Sequence, residues 1–345
     1  MNIQTVKFAN TSFVNVVRPA DLEIKYLINN FGFSKLHLED YIHRSQIPKI
    51  ETLKNYSLIV LDFPAFETND QNNNQKPTNN GKHSAWDVLH VSPPPLASIP
   101  LLQFSSGEKR KVITSSQVVF FIGKDFLVVL HSSRLSPINE IFSLCQKAIK
   151  YREEFLSQGP VFLAYKIIDS LVDASFLVVN EITTMIDQID RQFENRSMRN
   201  PLEETSLTRR NIVVFHTIIK PSLTLFRELS EGEYKELNDI MKSYWSNILN
   251  HLQRVWYRLE DCRELIEGIS TSNESLIASK TNQIVMVLTI FSAIILPLNL
   301  LASIYGMNVR TLPYAGESFS FTLIFGIMAA TAIIMLIVFK WRKWF

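Results

Sequence analysis

Asn282, Val285, Thr289, Ser292, Leu296, Asn299 and Ser303 stand in steps of three and four residues, the spacing that lays side chains along one stripe of a helix. Five of the seven are Asn, Ser or Thr, set in a stretch from Lys280 to Asn308 with no charged side chain after its first residue. Lipid gives an amide or hydroxyl no hydrogen-bond partner, so a polar stripe in such a stretch must face protein or water. Small hydroxyl residues do pack helix against helix in membranes, but two amides, Asn282 and Asn299, are more polarity than packing requires. Rings of neutral amide and hydroxyl oxygens suit a hard cation that keeps most of its water, because Mg²⁺ prefers oxygen ligands and dehydrates reluctantly. Leu288 and Leu296 supply apolar collars that close such a path by dewetting.

The element that must carry the stripe is a membrane-spanning helix. Residues 284–304 offer about 20 positions, enough at 1.5 Å per residue to cross a hydrocarbon core of roughly 30 Å. A second apolar run, 321–339, follows a short polar loop and completes a C-terminal hairpin. Two spans cannot enclose water by themselves, so a pore requires several copies around a symmetry axis, each side chain repeated in a ring. Lys340, Arg342 and Lys343 crowd the end of the last span and Lys280 flanks the first, whereas the loop holds only Arg310 and Glu317. Positive charge stays inside, which predicts both termini cytoplasmic, with Trp341 and Trp344 anchoring the interface.

The first span closes on Tyr305-Gly306-Met307-Asn308. Gly-Met-Asn at the end of the penultimate span, a short loop, a last span and a basic tail together resemble the CorA family of divalent-cation channels. The resemblance implies a homopentamer in the cell (inner) membrane, with Gly306, Met307 and Asn308 at its outer mouth and Asn308 offering side-chain oxygens to hydrated Mg²⁺. The cargo expected from the resemblance is Mg²⁺, with Co²⁺ or Ni²⁺ as further passengers. The loop VRTLPYAGES departs from the family by placing Arg310 near the mouth and keeping only Glu317 as an acid. That spacing is also similar to the zinc-transporting ZntB branch, so Zn²⁺ stands as an alternative cargo. A third reading is a membrane-tethered sensor or interaction protein that transports nothing.

The rest of the chain must hold this helix in place. The 345 residues are 46% hydrophobic with a formal net charge of +2, room for a cytosolic domain, a helical region and the hairpin. No basic stripe with interleaved aromatics is present, which argues against nucleic acid. No HExxH, GxxxxGK[ST] or GxSxG motif and no spaced Cys/His set is present, so no enzyme and no cofactor are expected, Mg²⁺ being cargo. Cys145 and Cys262 are far apart, as for buried thiols in a reducing compartment. The first residues, MNIQTVKFANTSFV, lack the charged and apolar regions of a signal peptide.

The fold class expected is an α/β N-terminal cytosolic domain, then long α-helices and a two-helix transmembrane hairpin. Residues 1–150 form the α/β domain, with a strand at 56–63, a hairpin of 117–122 and 126–131 turned by Gly123-Lys124-Asp125, and helices at 36–43 and 137–148. Within it the Asn/Gln- and Pro-rich segment 67–100 reads as an insertion too polar to pack. Residues 151–280 form the long-helix region. One helix opens at Gly159-Pro160 and keeps helical spacing through Leu163, Ile167, Ile168, Leu171, Phe176 and Val179. Asp169 and Asp173 lie four apart on its polar face, a pair that can hold a cation but that usually faces solvent. A second helix, 202–228, is expected to kink or break at Pro221. The S-x-x-E run Ser230-Glu231-Gly232-Glu233 has the form of a capping box that starts a helix continuing to Ile304, interrupted only by Gly268 and Pro297, with Ile248, Leu252, Val255, Leu259, Leu265 and Ile269 facing inward. Residues 281–345 are the hairpin, with an outer loop at 309–320 and a basic tail.

Overall fold

A computed structural model describes residues 2–43, 47–67, 111–132, 135–195, 201–237, 241–307 and 319–342. It contains two compact units, Met1–Ile266 and Glu267–Phe345. The first is built on a six-stranded sheet in the order β1-β2-β6-β5-β4-β3, from β1 (Ile3–Phe8), β2 (Thr11–Val17), β3 (Lys49–Thr52), β4 (Tyr56–Phe66), β5 (Ile113–Gly123) and β6 (Phe126–His131). Only β2 and β6 pair in parallel; the other neighbours are antiparallel. Central strands that read as near-continuous apolar runs, SLIVLDF and VVFFIG, must be covered on both faces, and they are.

Alternation along the strands sorts the side chains. Phe13, Ile59, Leu61, Val118, Phe120, Leu127 and Val129 point to one face, where helices α3 (Ser136–Lys147) and α4 (Ile149–Leu156) pack with the long helices α5 (Pro160–Asn195) and α6 (Pro201–Glu231). Val14, Val16, Leu58, Val60, Val119, Phe121, Val128 and Leu130 point to the other, against Ile24 and Leu27 of α1 (Asp21–Phe31) and Leu38 of α2 (Lys35–His43). Phe33, in the link between α1 and α2, stacks on Phe121 at 4.2 Å between ring centroids. Three layers result, with the fully buried Trp245 closing the helical side and donating its indole N–H to the Leu237 carbonyl at 3.0 Å.

The expected strands and hairpin are present, as are the helices near 36–43 and 137–148 and a helix opening at Pro160. Two expectations are corrected and a third is narrowed. Ser230 and Glu231 do not start a helix; they form the last turn of α6. Gly232 follows with φ 96°, its N–H donating to the carbonyls of Glu228 and Leu229 while Glu233 N–H reaches Glu228. That is a Schellman ending, which needs a residue able to take left-handed backbone. The chain then passes through a 3₁₀ turn, Lys235–Leu237, before α7 (Lys242–Tyr305). Pro221 does not break α6, which is continuous around it. Leu265 is half exposed, and the inward row of α7 runs Leu259, Cys262, Ile266 instead.

The sheet's first two strands and α1 are elements that the sequence reading did not place. The segment 67–100 lies outside the described residues beyond Glu67, whose N–H donates to the Val112 carbonyl at 2.8 Å and so extends the β4–β5 pairing by one step.

Candidate functional site: the polar face of the first apolar helix

Helix α7 and α8 (Ser320–Trp341) are each long and apolar enough to cross a membrane. In the second unit α7 has two distinct faces. Met286, Ile290, Ala293, Ile294, Pro297, Leu298, Leu301 and Tyr305 are half covered, and α8 carries a matching half-covered row at Ile324, Met328, Thr331, Ala332, Met335 and Phe339. Both rows repeat at three and four residues, the mark of one helix face. Asn282, Val285, Leu288, Thr289, Ser292, Leu296, Asn299 and Ser303 are all exposed. At 3.6 residues per turn the centre of this stripe lies roughly 150° around α7 from its half-covered row. The chain therefore leaves its polar stripe for something other than its own half-covered row.

Local bonding tunes the stripe. Thr289 Oγ1 donates to the Val285 carbonyl at 2.8 Å, so the hydroxyl proton is spent within the helix and the oxygen is left with its lone pairs as an acceptor. Pro297 has no N–H and lies inside a helix that nonetheless stays continuous, leaving the Ala293 carbonyl without its usual i+4 donor. Both effects make the helix richer in oxygen acceptors than its apolar composition suggests.

At the far end α7 closes tightly. Gly306 N–H donates to Ala302 at 2.9 Å and Met307 N–H to Ile304 at 3.3 Å. A Cβ at Gly306 would meet the Ala302 carbonyl oxygen at 3.1 Å, tighter than most side-chain contacts, and that of Ser303 at an ordinary 3.6 Å. Asn308, Arg310, Glu317, Lys343 and Trp344 lie outside the described residues. Among the described residues no group of three or more His, Cys, Asp or Glu side chains forms a metal-holding cluster.

Elsewhere the structure assembles polar groups that the sequence did not flag. His131, fully buried at the end of β6, has Nε2 at 2.9 Å from Asn15 Oδ1 and Nδ1 at 2.6 Å from the Ser132 carbonyl, while Asn15 Nδ2 donates to Asn139 Oδ1 at 3.2 Å. Burial pushes its pKa down to about 4, against a smaller upward pull from the Ser132 carbonyl. Asn211 of α6, also fully buried, accepts Ile113 N–H at 3.0 Å and donates to the Lys111 carbonyl at 2.9 Å, fastening the start of β5 to α6. Both cysteines are free and buried; burial raises the Cys145 thiol to about 11 and moves Cys262 in the same direction.

Comparison with known proteins places this arrangement. The family described as CorA-like Mg²⁺ transporter protein matches residues 96–341. The cobalt/magnesium transport protein CorA of Thermotoga maritima is 25% identical over 319 residues, 91% of this chain and 77% of that protein. The complete structure of the CorA magnesium transporter from Methanocaldococcus jannaschii superposes with a TM-score of 0.76 at 17% identity, covering 99% of this chain and 94% of that one. The cytoplasmic domain of ZntB from Vibrio parahaemolyticus shares the fold of the first unit's elements more loosely, with a TM-score of 0.52 at 11% identity over 79% of this chain and 90% of that one. The mixed α/β domain, the long helices and the two terminal apolar helices are thus the CorA architecture, and a tethered sensor without transport is set aside. This chain belongs to the CorA-like Mg²⁺ transporter family, a membrane transporter of divalent cations.

Proposed function

We propose that the protein is a channel for Mg²⁺, formed by several copies, five as the resemblance implies, whose α7 helices line a common axis in the cell membrane with both termini cytoplasmic. The observation that carries this reading is the polar stripe of α7, exposed over its whole length and turned roughly 150° from the helix's half-covered row. In lipid such a face is costly; around an axis it becomes a ladder of neutral oxygens.

The ion's path then follows from the order of residues. Asn308 meets the hydrated ion at the outer mouth, and the bare backbone at Gly306 lets its shell approach closely. Ser303 and Asn299 hand it on, Leu296 narrows the path, and Ser292 and Thr289 offer hydroxyl oxygens. Leu288 and Val285 form the inner apolar collar, and Asn282 stands at the exit. No charged side chain is on this list, so the ion keeps most of its water and is held weakly enough to leave. Inward movement down the electrochemical gradient needs no further energy source. Co²⁺ and Ni²⁺, which share octahedral hydration, are expected to follow the same path.

A second cargo, Zn²⁺, is kept because the spacing of the outer loop, with Arg310 near the mouth, is similar to that of the ZntB branch. The test is ion uptake into liposomes holding the full chain, followed with Mg²⁺- and Zn²⁺-sensitive dyes, with and without a pH gradient. Mg²⁺ uptake that falls at least tenfold in Asn308→Ala supports the channel; Zn²⁺ uptake driven only by a proton gradient replaces it with the zinc reading.

A further inference from the structure

Where α7 leaves its apolar stretch, an open cleft of about 510 Å³ lies along one side of the helix, lined by Ser275, Ala278, Ser279, Asn282, Gln283 and Met286. Its character changes along its length. Met286 is the last residue of the half-covered row and gives the cleft an apolar end. A turn further on, Gln283, Asn282 and Ser279 supply amide and hydroxyl hydrogens. Ser275 Oγ donates to the Thr271 carbonyl at 3.0 Å and is left as an acceptor.

Helix α8 brings a cation to this place. The end of α7 and the whole of α8 form the second unit, and as successive membrane spans they run in opposite directions with their half-covered rows facing. The row of α8 runs out at Phe339 where that of α7 runs out at Met286. Arg342 stands three residues beyond Phe339, and its N–H donates to the Val338 carbonyl at 2.9 Å, so the chain keeps its helical course. Arg342 then lies roughly 30° from the centre of α8's row, in the first turn past the covered pair. Lys340 lies roughly 130° from that line, and Lys280 roughly 130° from the centre of the cleft, so both belong to other sides of their helices. Glu274, the acid nearest the cleft in sequence, is roughly 110° away around α7, and from 275 to 345 the sole acid is Glu317 in the outer loop. The exposed Trp341, beside Arg342, marks the level at which a bilayer passes from hydrocarbon to headgroups.

We propose that this cleft binds the phosphate of an anionic phospholipid from the leaflet on the side of the chain's termini. Arg342 pairs with the phosphate oxygens, Gln283, Asn282 and Ser279 donate to them, and Met286 meets the start of an acyl chain. The occupant is a lipid and not a soluble anion because one end of the cleft is apolar and lies where both helices enter hydrocarbon. The consequence for transport rests on reading α7 as the pore helix. Asn282 belongs both to the cleft and to the inner end of the polar stripe. A bound phosphate therefore brings negative charge to an exit that Lys280, Lys340, Arg342 and Lys343 otherwise make positive, and a departing dication is drawn out instead of repelled.

Native mass spectrometry of the full chain in detergent, titrated with phosphatidylglycerol or with phosphatidylcholine of the same acyl chains, tests the binding. Wild type should hold phosphatidylglycerol about tenfold or more tighter than Arg342→Gln does, the least expected for a lost hydrogen bond to a charged group. Gln283→Leu should weaken binding in the same direction, whereas Lys280→Gln and Lys340→Gln change it less than about twofold. All of these positions are exposed, so the variants keep the fold. Equal losses in Arg342→Gln and Lys340→Gln would show that the basic end of the hairpin attracts anionic lipid without a site, and would overturn the proposal, as would equal affinity of wild type for the two lipids. The transport half is read as Mg²⁺ uptake into phosphatidylcholine liposomes with and without phosphatidylglycerol. Wild type should gain about fivefold, the lower end of usual coupling strengths, and Arg342→Gln less than about twofold; the same gain in both overturns the link to transport. If no Mg²⁺ moves in any lipid, the channel reading fails, and the mass spectra still decide whether the cleft holds the lipid.

Discussion

Acid should unlock the sheet at His131. The ring is fully buried, both of its nitrogens rest against neutral oxygens, and its pKa is depressed from 6.5 to about 4. A group whose folded pKa lies below its unfolded value contributes stability that is complete above the unfolded value and is lost as pH falls toward the folded one. The window here is thus about pH 6.5 to 4. At pH 5 an unfolded histidine is almost wholly protonated and the folded one hardly at all, so the chain loses about 2 kcal/mol relative to pH 7.5. For a domain of this size that corresponds to a fall in Tm of about 4–8 °C. Thermal unfolding of the full chain in detergent, at pH 7.5 and pH 5, measures it against His131→Gln. The variant should be less stable than wild type at pH 7.5, having lost the buried ring, and should lack this share of the acid-dependent fall. Equal falls in the two proteins would refute the reasoning. They would mean that the Ser132 carbonyl and the Asn15 amide oxygen stabilise an imidazolium well enough to cancel its burial, and that His131 titrates near its ordinary value.

Asn211→Ala should leave the Ile113 N–H and the Lys111 carbonyl without their partner inside the protein, at a cost of about 2–4 kcal/mol. Chemical unfolding followed by tryptophan fluorescence checks it, and a loss under about 0.5 kcal/mol would show that water replaces the amide. Gly306→Ala should press a methyl group on the Ala302 carbonyl and reduce Mg²⁺ uptake about tenfold or more, while the oligomer's elution on size exclusion stays unchanged; uptake at the wild-type rate would show that the helix end yields without consequence.

The parts of this fold that were legible in the sequence are those whose signal is local. YSLIVLDF and FFIGKDFLVVLH carry strand and turn in a dozen residues, α5 advertises its buried face by spacing alone, and the hairpin follows from apolar length. Gly-Met-Asn at the helix end brought the family into view. What was missed depends on partners far along the chain. β1 is an edge strand with polar residues at half of its positions, and β2 is fixed in the sheet by parallel pairing with β6, more than 100 residues away. His131, Asn15 and Asn211 look like any surface polar residue until the fold brings them together. The S-x-x-E run at Ser230 misled because the motif is short, and Gly232 inside it is as typical of a helix end as Ser230 is of a beginning. Asp169 and Asp173 were read as a solvated pair; His251, which faces them, lies on another helix some 80 residues later.

The most direct test of the account's centre asks which face of α7 meets water. Ser292→Cys places a thiol on the polar stripe and Phe291→Cys places one on an exposed apolar face away from it. The native thiols, buried and with raised pKa values, give little background. In liposomes taking up Mg²⁺, a positively charged methanethiosulfonate reagent should modify Ser292→Cys and stop uptake, leaving Phe291→Cys and wild type untouched. Modification and block at Phe291→Cys with none at Ser292→Cys would contradict a pore lined by this stripe.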